Sequence, residues 1–353
     1  MSAIRQRTRI DREAEESALS PAATRSHGAG DRREPEEPHE FRTCFERDRD
    51  RIIHSKAFRR LKHKTQVFIN PTGDHAVTRL THTLPVARVA RSLAGAMALN
   101  EPLAEAIALG HDVGHTPFGH IGEDALAEFF DDGWVHSRQS VRIFDVLEPL
   151  NLCEQTRDGI LRHPWKVQPP PTTPEAMCVR FADRIAYLTH DVLDAIRAHA
   201  IEPGDLPATV TAAFGEPGSG WIGLLINAVV QRSLDVGTVQ MDPAVLPVMH
   251  ELRAFMFDRV YMGHDQQTHT RSAKRIVTEL VEFLLEHPEH ITDTYTDPDA
   301  DRITRVADFV AGMTDRYALA LHDRWFRPRL FEVGVLPPVP SSQTTPSSPA
   351  HRQ

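Results

Sequence analysis

The run His111-Asp112-Val113-Gly114-His115-Thr116-Pro117-Phe118-Gly119-His120 sets three histidines and an aspartate within one short segment. The adjacent imidazole and carboxylate of His111 and Asp112 can both address one cation, and His115 follows at helical spacing. A metal that activates water for phosphate chemistry needs neutral imidazoles, carboxylates and open coordination positions. Two further residues fit that demand. His82 ends Arg79-Leu80-Thr81-His82, and Asp183 sits within Arg180-Phe181-Ala182-Asp183-Arg184-Ile185-Ala186-Tyr187. Asp183, Tyr187, His190 and Asp194 recur on one helical face, with Asp191 beside it. A carboxylate among Phe181, Ile185 and Ala186 is costly to bury unless it meets a cation or several donors.

Each residue also has a plainer role open to it. His82 can be a core or capping histidine, Asp183 an arginine partner, and His120 a structural residue that ties down the loop after Pro117. Their joint order favours a shared metal: His, then His-Asp, then Asp, each on its own predicted helix. Other hydrolytic sites lack their residues. A zincin requires His-Glu-x-x-His, whereas Asp112 holds the second position here and Gly114 to Pro117 would end the helix. There is no Gly-x-x-x-x-Gly-Lys-Ser/Thr loop and no Gly-x-Ser-x-Gly elbow.

The elements that must position these groups read as helices almost throughout. Val77, Leu80, Leu84, Ala87, Ala90 and Leu93 form one apolar stripe, and Val179, Ala182, Ala186, Thr189, Leu193 and Ile196 a second. Ile276, Leu280, Phe283 and Leu284 form a third, closed by Pro288. Breaks fall at Gln168–Pro174 and around Gly215–Gly220, and Pro85 lies inside the helix of His82, where it frees the Thr81 carbonyl. The expectation is an all-α fold, with room for a short strand near Trp325–Val333. Residues 1–37 are expected to be disordered from their polar composition, 38–335 to form one helical domain, and the Pro/Ser/Thr-rich tail 336–353 to be disordered.

With 353 residues a sizeable core is available, and a net charge of -9 argues against general coating of nucleic acid. Basic residues nevertheless crowd the stretch from Arg42 to Lys64, which suits either a small polyanion or a solvated helix face. Three cysteines without paired spacing give no disulfide framework. No apolar run reaches a membrane span and no leader is evident, so a cytoplasmic protein is expected.

The order His82, His111-Asp112, Asp183 resembles that of HD-domain metal-dependent phosphohydrolases. The flanking blocks narrow the likeness: Ser55-Lys56-Ala57-Phe58-Arg59-Arg60-Leu61-Lys62-His63-Lys64-Thr65-Gln66-Val67, Arg79-Leu80-Thr81-His82-Thr83-Leu84, the His111–His120 run continuing to Glu123, Arg157-Asp158-Gly159-Ile160-Leu161-Arg162-His163, and Ala182-Asp183-Arg184-Ile185-Ala186-Tyr187. Together, from about Phe41 to Pro288, they resemble the deoxyguanosinetriphosphate triphosphohydrolase family.

The resemblance implies hydrolysis of a deoxynucleoside triphosphate to deoxynucleoside and inorganic tripolyphosphate. It implies His82, His111, Asp112 and Asp183 as metal ligands, and His115 as the acid/base residue with Glu123 and His136 completing a relay. It implies Arg79 and Arg184 on the phosphates, Gln66 and Tyr187 at the sugar, and Asp191 at the 3′-hydroxyl. The segment around His136 follows the family block only loosely. A divalent cofactor is expected, Mg2+ or Mn2+ foremost, with Fe2+, Co2+, Ni2+ and Zn2+ also compatible with such ligands. A homo-oligomer is expected, with room for a nucleotide effector and weak single-stranded DNA binding and none for a membrane. The competing readings are another HD-type nucleotidase and a non-catalytic nucleotide or single-strand sensor.

Overall fold

A computed structural model of the chain describes residues 4–66, 77–261, 264–292 and 297–326. Among these residues there are fifteen α-helices and no strand; one isolated bridge joins Thr65 to Thr78. The chain opens with α1 (Arg9–Glu15), α2 (Cys44–His54) and α3 (Lys56–Arg60). The central set is α4 (Arg79–Ala96), α5 (Glu101–Gly110), α6 (His120–Ala127), α7 (His136–Arg142), α8 (Glu154–Arg162) and α9 (Pro174–Arg197). Then follow α10 (Ala208–Phe214), α11 (Gly220–Val236), α12 (Val245–Met256), α13 (His264–Glu286), α14 (Arg302–Ala311) and α15 (Asp315–Phe326).

Local chemistry sets the ends of the helices that carry the site. Thr78 caps α4 by accepting from the Thr81 amide, Asn100 caps α5 and Thr173 caps α9, whose first residue is Pro174. Helix α4 runs through Pro85 as one element, and it packs against both α5 and α9. The seam is built from small residues and methyl-rich side chains (Val86, Ala90, Ala104, Ile107, Ala182, Ile185), all buried. Small side chains let the backbones approach closely, so His82, His111 and Asp183 meet from three different helices.

A second apolar cluster joins α6 to the C-terminal helices through Leu126, Val277, Leu280, Val306 and Val310. The turn from His111 to Gly119 connects α5, in the first cluster, with α6, in the second.

Three expectations need correction. Residues 4–37 are not disordered: α1 carries a Thr8–Asp11 capping box, Thr24 bonds Glu175 through Oγ1 at 2.7 Å, and the Arg32 guanidinium meets Asp48 at 2.6 Å with both side chains buried. The polar composition that predicted disorder is matched by specific partners on α2, at the Asn100 cap before α5 and on α9. Leu84 is exposed rather than part of the α4 stripe, because His82, Val86 and Val89 hold the inward face. Trp325 and Phe326 end helix α15 instead of starting a strand; the remainder of that segment and the 336–353 tail lie outside the described residues.

The N-terminal half of the basic stretch is neutralised locally. Arg42 and Arg49 pair with Asp50, and Arg47 and Arg51 with Glu36.

Candidate active site

His111 caps the C-terminal end of α5, and its Nδ1 lies 2.6 Å from the Ala108 carbonyl oxygen. A carbonyl only accepts, so the ring proton belongs on Nδ1 and Nε2 keeps a lone pair. That Nε2 is buried, has no hydrogen-bond partner, and lies 3.3 Å from Asp112 Oδ1 and 3.7 Å from Asp183 Oδ1. A lone pair facing two carboxylates is repulsive until a cation stands among them. From α4, His82 Nε2 reaches Asp183 Oδ1 at 3.1 Å. Ligand atoms of His82, His111 and Asp183 all lie within 4.8 Å of one another. The donor set and the orphaned nitrogen fit a divalent ion.

The carboxylates are ionised for that task. Burial opposes ionisation of Asp112, yet His111, His115 and Arg79 hold its pKa well below the usual carboxylate range. Burial opposes Asp183 as well, and the His82 hydrogen bond and His111 outweigh it, lowering its pKa. Arg79 Nη1 donates to Asp112 Oδ2 at 2.9 Å, leaving Oδ1 turned to the histidines.

Beside this centre stands a second polar chain. His115 Nε2 is 3.1 Å from Asp112 Oδ1, and its Nδ1 abuts Glu123 Oε1. His136 Nδ1 is 3.1 Å from the same Glu123 oxygen, and the His115 and His136 rings stack at 3.8 Å between centroids. Behind them, His136 Nε2 meets His163 Nε2 at 3.2 Å, and His163 Nδ1 meets the Ile160 carbonyl at 2.8 Å. Burial, then the charge of Arg79 and the neighbouring His136, lower the His115 pKa to about 3. The ring is therefore neutral at neutral pH, where the sequence alone suggests an ordinary histidine near 6.5.

Close backbone approach builds this chain. A Cβ on Gly114 would lie 2.3 Å from the His136 carbonyl oxygen and 2.3 Å from the Ser140 amide nitrogen. Only glycine lets the His115 turn press onto the start of α7. Ser140 Oγ stitches the contact, accepting from the Gly114 amide and donating to the His111 carbonyl, each at 2.9 Å.

Two residues distant in sequence pin the turn. Buried Lys64 donates through Nζ to the carbonyls of His115 and Ala311, the latter at 2.8 Å. Asp315 accepts from the Phe118 amide at 2.9 Å and from the Thr65 amide at 2.9 Å.

Of the residues expected around a nucleotide, Arg184, Tyr187 and Asp191 all lie on α9. Tyr187 is half-buried, and the Arg184 guanidinium lies over the Trp165 ring at 4.1 Å. Asp191 is buried and accepts from the Tyr261 hydroxyl, which a short π-helical turn (Phe257–Tyr261) presents. Gln66 is half-buried with its Oε1 unpartnered.

Sequence reasoning left His163, Tyr261, Lys64 and Asp315 without roles. His163 was visible inside the Arg157–His163 block; Tyr261 sits 70 residues from Asp191 and carried no signal.

An all-helical bundle with His82, His111-Asp112 and Asp183 converging on an orphaned nitrogen defines an HD-domain phosphohydrolase. Family comparison agrees: the HD domain matches residues 79–188, and the phosphohydrolase-associated domain matches residues 239–324. A deoxyguanosinetriphosphate triphosphohydrolase-like protein of Caldanaerobacter subterraneus subsp. tengcongensis is 44% identical over 92% of this chain and 98% of its own length. Others so named from Desulfatibacillum aliphaticivorans and Clostridium perfringens are 42% and 43% identical over 88% and 83% of this chain, and 95% and 90% of theirs. The chain belongs to this family of deoxyguanosinetriphosphate triphosphohydrolase-like HD hydrolases.

Proposed function

We propose that the protein is a divalent-metal-dependent dNTP triphosphohydrolase. It converts dGTP or several dNTPs to deoxynucleoside and inorganic tripolyphosphate. The observation that carries the reading is the buried, unpartnered His111 Nε2 facing Asp112 and Asp183, next to the His115–Glu123–His136 chain. The family's shared name supports the substrate class.

His82, His111, Asp112 and Asp183 hold the ion, which when bound polarises phosphate oxygens and makes water a better nucleophile. The chain's own residues do the rest. Water oxygen bonds to the α-phosphorus as the bond to O5′ breaks, and O5′ leaves with the electron pair and gains a proton. His115 handles that proton at Nε2, and the Glu123 carboxylate against Nδ1 stabilises the ring whenever it is charged. Burial opposes ionisation of Glu123, but His115, His136 and His120 keep it an anion. His136 completes the relay behind Glu123. Arg79 and Arg184 supply positive charge for the phosphates, Gln66 and Tyr187 bound the sugar, and Asp191 binds the 3′-hydroxyl.

Incubation of the purified protein with each dNTP and Mg2+ or Mn2+, with products resolved by chromatography, tests the reading. Tripolyphosphate with deoxynucleoside supports it. Orthophosphate or pyrophosphate points to another nucleotidase, and salt-sensitive single-strand binding without turnover to a non-catalytic sensor.

A further inference from the structure

Trp165 is an aromatic residue that neither the metal centre nor the proton relay uses. It is half-buried and stands two residues after His163, in the segment that leaves α8. That segment is tied to α9 from both sides. Trp165 Nε1 donates to the Arg180 carbonyl at 3.0 Å, and Arg180 Nη2 donates back to the carbonyls of Pro164 and Trp165 at 3.1 and 2.7 Å. The Phe181 ring meets the indole edge-on, with 5.3 Å between centroids. An indole held this way presents a fixed face.

The face lies against two guanidiniums one helical turn apart on α9. Arg184 Cζ sits 4.1 Å from the ring centroid and Arg180 Cζ 5.2 Å. Both arginines are buried and each keeps an unpartnered Nε, but Arg180 spends Nη2 on the carbonyls of the Trp165 segment. Arg184 also feels a third cation: burial lowers its pKa, and the Arg253 charge lowers it further. A guanidinium buried among like charges is costly unless an anion or an aromatic face compensates it. A ring face attracts the cation without using its N–H donors, which stay available for oxygen acceptors.

We propose that Trp165 is a positioning residue for the phosphate-binding arginine. Its indole face holds the Arg184 guanidinium against α9 with the N–H edge open, so the polyphosphate of the substrate meets a cation already in place. A preset guanidinium saves the cost of ordering a long side chain at the moment of binding. The identity of the polyphosphate rests on the hydrolase reading; the coupling of Trp165 to Arg184 does not.

The test uses the full-length protein carrying Trp165→Leu, Trp165→Phe, Arg184→Met, or Trp165→Leu together with Arg184→Met. In steady-state turnover of dNTP with Mg2+, Trp165→Leu should raise KM about tenfold and change the turnover number far less. Trp165→Phe keeps a weaker ring face and should raise KM only about two- to threefold. In the Arg184→Met background, loss of the indole should raise KM no further. Effects that multiply in the double variant, or equal KM in wild type and Trp165→Leu, overturn the proposal. If Trp165→Leu does not fold, Trp165→Phe with and without Arg184→Met carries the same comparison. Titration calorimetry with inorganic tripolyphosphate reads the coupling without turnover, as an affinity about tenfold weaker in Trp165→Leu and no weaker again in the double variant. If that pattern holds but dNTP yields no tripolyphosphate, the hydrolase reading fails and the positioning role stands. If dNTP is hydrolysed while tripolyphosphate affinity is the same in wild type and Trp165→Leu, the positioning role fails and the hydrolase reading stands.

Discussion

His163 and His136 meet through their Nε2 atoms at 3.2 Å, and this contact decides which nitrogen His136 turns towards Glu123. The Ile160 carbonyl fixes His163, His163 fixes His136, and His136 flanks Glu123 opposite His115. Replacing His163 by Phe keeps an aromatic ring in the cavity and removes the acceptor. Turnover number should fall about 10–100-fold, as for other outer residues that orient catalytic groups, with KM changed far less. A matched rise in KM at unchanged turnover would contradict an orienting role.

Asp191 gives the protein a titration in the neutral range. Burial raises its carboxyl pKa to about 7, against the lowering effect of the Tyr261 hydrogen bond and with help from Asp194 and Asp183. An unfolded aspartate titrates near about 3.9. Between these values the folded chain holds a proton that the unfolded chain has lost, so this group's contribution is full below about pH 4 and disappears as pH rises through 7. The Tm of wild type relative to Asp191→Asn should therefore drop between pH 5 and pH 8. A constant difference across that range would rule the coupling out.

Metal removal should loosen the helical bundle as well as stop catalysis. His82 on α4, the His111-Asp112 pair after α5 and Asp183 on α9 converge from three places and bring two carboxylates together. Chelation is expected to lower Tm, and Mn2+ at about 100 times its Kd to restore about 2.7 kcal/mol. In His111→Ala the chelator should have little effect on Tm; a full response there would place the ion elsewhere.

The Arg32–Asp48 pair predicts what the N-terminal segment contributes. Asp48 also accepts from the Cys153 amide at 2.8 Å and the Thr156 hydroxyl at 2.7 Å, and it is wholly buried. Arg32→Ala leaves that carboxylate without its cation and should cost about 3–5 kcal/mol in denaturant unfolding. A loss below about 1 kcal/mol would show that the segment merely lies on the surface.

Gly114→Ala tests the backbone contact behind the relay. The added methyl must displace the His136 carbonyl and the Ser140 amide, both parts of α7, for about 1–3 kcal/mol or more. Activity should fall with stability, since His115 and His136 move apart. Retained stability with full activity would mean that the approach is looser than it stands.

The sequence made the candidate metal centre legible because its residues are chemically conspicuous: an adjacent His111-Asp112, and an aspartate set among Phe181, Ile185 and Ala186. Helical periodicity and breaks at prolines and glycines gave the all-α architecture and the helix limits near Pro174 and Gly220. What stayed hidden depends on long-range pairing. Nothing in the local sequence of Lys64 or Asp315 ties them to the His115 turn, and Tyr261 reaches Asp191 only through the packing of a distant π-helical turn. The N-terminal segment misled for a related reason: composition counts charges without saying whether each has a partner. The pKa of His115 depends on burial and on Arg79, neither visible in one dimension.

The clamp of Lys64 and Asp315 on the His115 turn also has a meaning in time. A ribosome making this chain finishes the four ligand positions when it passes Asp183, yet the His115 turn gains its last anchor only when Asp315 emerges, at the start of the final described helix. A nascent or prematurely ended chain would therefore carry every candidate ligand and still lack the anchor of the His115 turn until Asp315 has emerged.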